Sequence, residues 1–261
     1  MREKQRNTAI LAYHEVMPDS TYSYCIPCST FQEHLRLLRE LAPAPSQVRA
    51  QVTFQVTFDD GEQSQYHNAV PLLAEHGIKA TYFVTPGLIS TAPKFLSWSQ
   101  LKELRSVGHS VQSHGWSHKF LTTCTREELA HELKASKEAV EDKLGCAVDE
   151  ISVPGGRWDR RVVEACGRAG YKRVYVSEPW INAEICGVAV LGRFMVRRTT
   201  SMAELDKMVR RDKQALWSLK MRSQVKKHVV KVIGDGLYHR LWCRLTGYNE
   251  FEEARQQNTY S

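Results

Sequence analysis

The chain has 261 residues, of which 42% are hydrophobic and 25% are charged, and its formal net charge is +7. This composition is typical of a globular protein with one large domain, or one domain and an appendage, and it excludes disordered and fibrous classes. The longest apolar runs fall far short of the roughly 20 residues that cross a bilayer, and the polar residues 1–7 lead into no signal-peptide core. We therefore expect a cytoplasmic protein, or one that is peripheral at the inner membrane.

Short β-rich runs alternate with helical patterns through the first part of the chain. The seven predicted strands are residues 8–13, 52–58, 80–84, 109–113, 150–153, 172–177 and 188–196. The four predicted helices are residues 63–76, 97–107, 126–144 and 160–169, with Ser97 and Thr125 as N-caps and Gly77, Gly108, Gly145 and Gly170 as ends. Repeated strand and helix units predict a parallel sheet, either open or closed into a barrel.

Polar residues and glycines follow strand after strand, which favours the barrel. They are His14, Asp59, Asp60, His114, Gly155, Gly156 and Arg157. In a barrel the carboxyl ends of the strands meet at one mouth, where catalytic groups collect. An open sheet would suggest a nucleotide, but the chain has no glycine-rich phosphate loop. The fold class that we predict is therefore an α/β barrel over residues 1–200.

The seven cysteines are scattered, which is typical of a reducing compartment. Cys25 and Cys28 form a lone Cys-x-x-Cys pair. Because no second pair or nearby histidine cluster completes four ligands, we interpret this pair as loop sequence.

Residues 201–261 are predicted to be a basic, amphipathic helical tail. They hold 12 Lys/Arg against 7 Asp/Glu. Apolar residues recur every four positions, at Trp217, Met221, Val225 and Val229 and again at Leu237, Leu241 and Leu245. We expect the tail to pack on the barrel with a solvated basic face; the alternative is contact with an anionic membrane surface. No nucleic acid is expected as a partner, since no reading motif accompanies the charge.

Two short segments carry the candidate chemistry. Asp59 and Asp60 end an apolar strand before Gly61, so one carboxylate can bind a cation while the other stays free as a base. A helix cap or turn is the alternative for an Asp-Asp-Gly sequence. His114 and His118, four residues apart in a strand-to-helix loop, can face one point and bind a divalent ion. Two histidines and one carboxylate would leave coordination positions open for water and substrate, as in catalytic sites.

These segments and their order resemble the polysaccharide deacetylases of carbohydrate esterase family 4, which share the NodB homology domain. The matching segments are Ala12-Tyr13-His14-Glu15-Val16, Thr57-Phe58-Asp59-Asp60-Gly61, Gly77-Ile78-Lys79-Ala80-Thr81-Tyr82-Phe83-Val84, Gly108-His109-Ser110, the His-x-x-x-His pair, and Val153-Pro154-Gly155-Gly156. The resemblance covers roughly residues 8–200 and implies a distorted (β/α)7–8 barrel, here with a helical C-terminal extension.

The resemblance also implies the roles of the acids and histidines. Asp59 would be the catalytic base, and Asp60, His114 and His118 would hold zinc, with cobalt, nickel or manganese as alternatives. Asp59 would take a proton from a water that attacks the acetyl carbon, while the ion would stabilise the oxyanion. Pro154, Gly155, Gly156 and Trp180 are the residues expected to bind substrate.

The chain departs from the family pattern at three places, and at one of them the Asp-x-x-x-Trp motif survives only as Trp180. The late Leu-x-His motif, which supplies an acid in many relatives, reads Leu191-Gly192-Arg193, and an arginine cannot release a proton at ordinary pH. The arginine that orients the base is replaced by Ser152, so Arg157 or Arg193 is expected to supply that cation. His14 is one candidate for the acid, and return of the proton by Asp59 is the other.

The resemblance predicts a metal-dependent hydrolase that removes N-acetyl groups from an amino-sugar glycan or a lipid-linked glycan precursor, as in exopolysaccharide synthesis. The partners expected are therefore an N-acetylated glycan and, through the tail, an anionic membrane surface. Hydrolysis of another non-peptide C–N bond on the same barrel, or a catalytically silent barrel that binds glycan, are the alternatives.

Overall fold

The computed structural model describes residues 8–19, 22–42 and 52–233, with side chains up to residue 225. Among these residues, nine strands form one sheet. They are β1 (Thr8–Tyr13), β4 (Thr53–Phe58), β5 (Ala80–Val84), β6 (Ser110–Ser113), β7 (Glu150–Ser152), β8 (Arg173–Val176), β9 (Asn182–Ile185), β10 (Val188–Gly192) and β11 (Phe194–Met195). Their order is β11-β1-β4-β5-β6-β7-β8-β10-β9. A separate two-stranded sheet pairs β2 (Glu15–Met17) with β3 (Cys25–Pro27).

The large sheet is parallel except at its last strand, where β9 runs antiparallel to β10. Strands β10 and β11 are consecutive parts of one run that is interrupted at Arg193. β10 pairs with β8, near one edge of the sheet, and β11 pairs with β1, near the other, so this run connects the two sides of the sheet. Chain continuity at Arg193, rather than hydrogen bonds between β10 and β11, links these two strands. The prediction of an α/β fold with a parallel, barrel-like sheet is confirmed.

Side chains from distant strands meet inside this curved sheet. Ile10, Phe83, Tyr175 and Leu191, from β1, β5, β8 and β10, form one small buried cluster. Strands β1 and β5 are separated by β4, and β8 and β10 lie toward the other end of the strand order, so this contact requires the sheet to curve around them. The interior is consequently a packed core, as in other α/β barrels.

Helices cover the outside of the sheet. They are α1 (Cys28–Leu41), α2 (Val70–Glu75, preceded by the π-helical turn Gln65–Ala69), α3 (Trp98–Ser106), α4 (Arg126–Leu144), α5 (Arg160–Arg168), α6 (Met202–Val209) and α7 (Lys213–Ile233). Ser97 and Thr125 begin α3 and α4 with complete capping boxes, as predicted. Gly145 ends α4 in the left-handed conformation at φ 61°, which glycine adopts without a steric penalty.

Helix α1 and the strands β2, β3 and β9 were not predicted from the sequence. The interpretation of Cys25 and Cys28 as loop sequence is wrong, because Cys25 lies in β3 and Cys28 begins α1. The pairing of Cys25 with Glu15 of β2 creates this strand, and three residues carry too little periodicity to reveal it. Both cysteines are free thiols.

Helices α6 and α7 follow the barrel. Leu205 and Val209 of α6 are buried in the main core, and Leu216 and Leu219 of α7 pack against it. No helix in the described part of the chain is both long and apolar enough to span a membrane. The domain division at residue 200 stays a prediction, and the predicted repeat at Leu237, Leu241 and Leu245 lies outside the described residues.

Candidate active site

Two adjacent carboxylates begin the site where β4 ends. The Asp59 amide donates to the Tyr13 carbonyl at 3.1 Å, which ties the turn to the end of β1. Asp60 has φ 77° and Gly61 has φ 77°, so the chain turns sharply through the left-handed region. That conformation is unfavourable for a residue with a side chain and is kept where the surroundings enforce it. The turn directs Asp60 toward two histidines and Asp59 toward an arginine.

Asp60, His114 and His118 converge on one point. The Nε2 atoms of His114 and His118 lie 3.3 Å and 3.2 Å from Asp60 Oδ1. One potential ligand atom from each residue lies within 4.8 Å of the other two. The structure thus brings together all three residues that the sequence proposed as metal ligands.

The hydrogen bonding of His114 fits a cation at this point. His114 Nδ1 lies 2.7 Å from the Ser152 carbonyl oxygen, which can only accept, so Nδ1 carries the hydrogen. The Nε2 lone pair of His114 then faces Asp60 Oδ1, a buried oxygen without a well-formed hydrogen bond among the described residues. Electron pairs that face each other repel, and a bound cation would remove the repulsion.

Asp59 is held by a buried arginine. Arg193 Nη1 and Nη2 donate to its two carboxylate oxygens at 2.7 Å each. Arg193 also donates to Ser152 Oγ at 2.7 Å, and that hydroxyl donates to Asp59 Oδ2 at 3.1 Å. Although burial raises the pKa of Asp59, the Arg193 guanidinium lowers it to about 2. Asp59 is therefore an ionised carboxylate in one fixed orientation.

Arg157 and Arg193 were the two arginines expected to orient the base. Of these two, Arg193 is the one that contacts Asp59. Arg193 is fully buried in the break between β10 and β11. Arg157 instead lies over the Phe120 ring, 4.3 Å from its centroid. Ser152 stands where the family pattern has its arginine, and its small side chain accepts a hydrogen bond from the Arg193 guanidinium. Ser152 and Arg193 thus hold Asp59 together.

His14 lies beside the acidic pair. Its ring packs 5.0 Å from the Tyr24 ring, and its Nδ1 is enclosed without a hydrogen-bond partner among the described residues. Burial lowers the pKa of His14 more than Asp60 and Asp59 raise it. The imidazole is consequently neutral near neutral pH. Its role as the acid stays a prediction.

The predicted substrate residues lie in the segments that follow β7 and β8. Pro154, Gly155 and Gly156 form a turn of 3-10 helix directly after β7. A Cβ atom on Gly156 would lie 2.1 Å from Ser177 Oγ, so packing alone requires a glycine there. Trp180 is half-buried in the turn after β8. Substrate binding by these four residues stays a prediction.

Glu132 is a residue of the site that sequence reasoning missed. It is buried on α4 and accepts hydrogen bonds from the backbone amides of Trp116 and Ser117 at 2.8 Å and 2.9 Å, and from the Ser117 hydroxyl. Glu132 therefore holds the loop between His114 and His118. The only signal in the sequence is an acidic residue on the apolar side of a helix, beside Leu129 and Leu133.

Residues 48–174 match the family model described as polysaccharide deacetylase. YxkH of Bacillus subtilis, assigned to the polysaccharide deacetylases, is 28% identical over 206 residues, which cover 74% of this chain and 73% of YxkH. The peptidoglycan-N-acetylmuramic acid deacetylase PdaA of the same species is 28% identical, with 51% of this chain and 49% of PdaA covered. This chain thus spans only about half the length of PdaA.

Solved structures show the same fold. The deacetylase PplD of Streptococcus pyogenes, in complex with acetate, superposes with a TM-score of 0.68 at 23% identity, covering 77% of this chain and 97% of PplD. A polysaccharide deacetylase of Bacillus cereus gives a TM-score of 0.67 at 22% identity, covering 77% of this chain and 68% of that protein. At these identities the likeness concerns the fold alone.

Proposed function

We propose that this chain, whose residues 48–174 match the polysaccharide deacetylase family model, removes N-acetyl groups from an amino-sugar glycan with the help of a divalent ion. The observation that carries the proposal is an ionised Asp59 beside a cluster of metal-ligand atoms. Asp59 Oδ2 lies 4.0 Å from His114 Nε2, while Asp60, His114 and His118 offer the cluster. An ionised carboxylate that is held in one orientation beside two imidazoles and a second acid is typical of a catalytic site.

Asp60, His114 and His118 would hold the ion, for which zinc is the expected identity and cobalt, nickel or manganese are alternatives. Such an ion supplies a Lewis acid for the acetyl carbonyl and lowers the pKa of water. Two histidines and one carboxylate leave positions open for both groups. His114 would keep its lone pair on the ion because Ser152 fixes the opposite ring nitrogen.

Asp59 would act as the general base. Arg193 and Ser152 keep it charged and oriented, so its carboxylate can accept the proton of the attacking water. The leaving amine then needs a proton. Arg193 cannot donate one, so Asp59 returns the proton that it took from water. His14 is the other candidate, but it would first have to take up a proton, which its lowered pKa disfavours.

The proposed substrate is an N-acetylated amino-sugar polymer or a lipid-linked precursor of one, as made in exopolysaccharide synthesis. The name of PdaA refers to N-acetylmuramic acid in peptidoglycan, and a relative from Cryptococcus neoformans is named chitin deacetylase 1. Both names describe N-acetyl groups on amino sugars, which supports this class over other C–N bonds.

Anionic lipid is a separate proposed partner, because lipid binding would depend on helix α7 and not on the barrel mouth.

Calorimetric titration of zinc into chelator-stripped protein tests the site. We expect one-site binding by wild type and by His67→Ala, which removes an exposed histidine elsewhere. Binding should be lost in His114→Ala and in Asp60→Ala, because each removes one of three ligands.

Acetate release from N-acetylated chitooligosaccharides and peptidoglycan fragments tests the reaction. The Asp59→Asn variant should bind zinc but release no acetate, since it lacks the base. Folded wild type that binds no divalent ion would contradict the proposed mechanism. Zinc binding without acetate release from any N-acetylated glycan would point instead to a silent barrel.

A further inference from the structure

Helix α7 has one face on the core and another that the described part of the chain leaves uncovered. Leu216 and Leu219 pack against the main core and define the inner face. Trp217, Met221 and Val225 are 66%, 43% and 61% exposed. Because they are spaced by four residues, at about 100° per residue, they form one exposed stripe along the helix. Contiguous exposed apolar side chains of this size mark an interaction surface.

The charge of α7 has a single sign. Its 21 residues contain no aspartate or glutamate, and its cations are Lys213, Lys220, Arg222, Lys226, Lys227 and Lys231. Lys220 and Arg222 are exposed, and each lies roughly 60° around the helix from the nearest residue of the exposed stripe, on opposite sides. The stripe is therefore flanked by positive charge on both sides.

We propose that the exposed stripe of α7 lies on an anionic lipid surface. Trp217, Met221 and Val225 would enter the headgroup region, and Lys220 and Arg222 would contact anionic headgroups. A second copy of this chain fits the face less well, because two such faces would bring like charges together. This inference does not rest on the proposed deacetylase activity.

Co-sedimentation of the full chain with vesicles tests the stripe. We expect wild type to bind vesicles of phosphatidylcholine mixed with phosphatidylglycerol and to leave pure phosphatidylcholine vesicles unbound. The variant Trp217→Ser/Met221→Ser/Val225→Ser should lose roughly tenfold or more in vesicle affinity, because it buries no apolar surface in the headgroup region. Val107→Ser, which changes a valine that is 50% exposed directly after the end of α3, should bind like wild type.

A second pair of variants tests the flanking charge. Lys220→Gln/Arg222→Gln should weaken binding by roughly tenfold, and added salt should remove most of the difference. Lys134→Gln/Lys172→Gln removes the same charge from two lysines whose side chains are 73% exposed elsewhere, and should bind nearly as wild type does.

Three results would overturn the proposal. One is a wild-type protein that does not bind anionic vesicles. Another is that Lys220→Gln/Arg222→Gln and Lys134→Gln/Lys172→Gln weaken vesicle binding equally, which would mean that net charge alone drives binding. The third is a wild-type dimer that becomes a monomer in the stripe variant without any vesicle binding, which would assign the face to contact between copies. The circular dichroism spectrum of each variant is the control for an intact fold.

Discussion

Replacement of Arg193 by methionine is the sharpest test of how the catalytic carboxylate is held. Arg193 is fully buried, and it donates two hydrogen bonds of 2.7 Å to the oxygens of Asp59. Removing one partner of a buried ion pair leaves an uncompensated charge and typically costs about 3–5 kcal/mol. We expect Arg193→Met to lower the free energy of unfolding by that amount, because burial of Asp59 is otherwise unchanged.

The same change should raise the pKa of Asp59. Burial raises that pKa, and Arg193 is the foremost of the groups that lower it to about 2. A carboxylate with a lowered folded pKa stabilises the fold above its ordinary pKa of 3.8, and this stability is lost as the pH falls through about 2. In Arg193→Met the loss should begin at a higher pH, and the acid limb of the activity profile should move in the same direction.

A double-mutant cycle with Asp59→Asn measures the pair directly. Urea unfolding in the presence of a chelator, so that no metal stabilises either protein, should give a coupling energy of about 3 kcal/mol between Arg193→Met and Asp59→Asn. Arg157→Met is the matched control, since Arg157 lies over Phe120 and should lower stability far less. If Arg193→Met lowers the free energy of unfolding by less than about 1 kcal/mol, the reasoning is refuted, because the pair would then stabilise the fold no more than an exposed ion pair does.

Three further predictions concern the supports of the site and the fold. Glu132→Ala should weaken zinc binding about tenfold to hundredfold in calorimetry by loosening the loop between the histidines, whereas Glu138→Ala, on the exposed side of α4, should not. Gly156→Ala should lower the free energy of unfolding by about 3 kcal/mol, because φ is 65° and the new methyl group meets a side chain and a backbone amide. Gly145→Ala, with φ 61° and open space around it, should cost only about 1–2 kcal/mol in the same urea experiment, and equal losses would contradict this reasoning. Burial lowers the pKa of His34 to about 4, so the stability present above its ordinary pKa of 6.5 should be lost as the pH falls through about 4, by roughly 3 kcal/mol. His34→Leu should show a smaller loss of stability over this range, and an unchanged pH dependence would disprove the role of His34.

Local signals in the sequence located most of the regular elements. The capping residues Ser97 and Thr125 and the helix-ending Gly145 act within one helical turn, so their effect is readable without knowledge of the fold. Helix α1 was missed although Phe31, Leu35 and Leu38 are buried at helical spacing. Its start is anchored by β3, which exists only through pairing with β2, and no cap marks its first turn.

The sequence by itself determined the composition of the proposed metal site. Asp60, His114 and His118 follow the ends of β4 and β6, and the parallel topology brings such strand ends to one mouth. What only the tertiary structure decided is how the base is held. Arg193 reaches Asp59 across 134 positions of sequence and Ser152 across 41, and no local periodicity or motif spacing encodes those contacts. They arise because the run through Arg193 connects β8 with β1, which turns one buried side chain toward the ends of β4 and β7 at once.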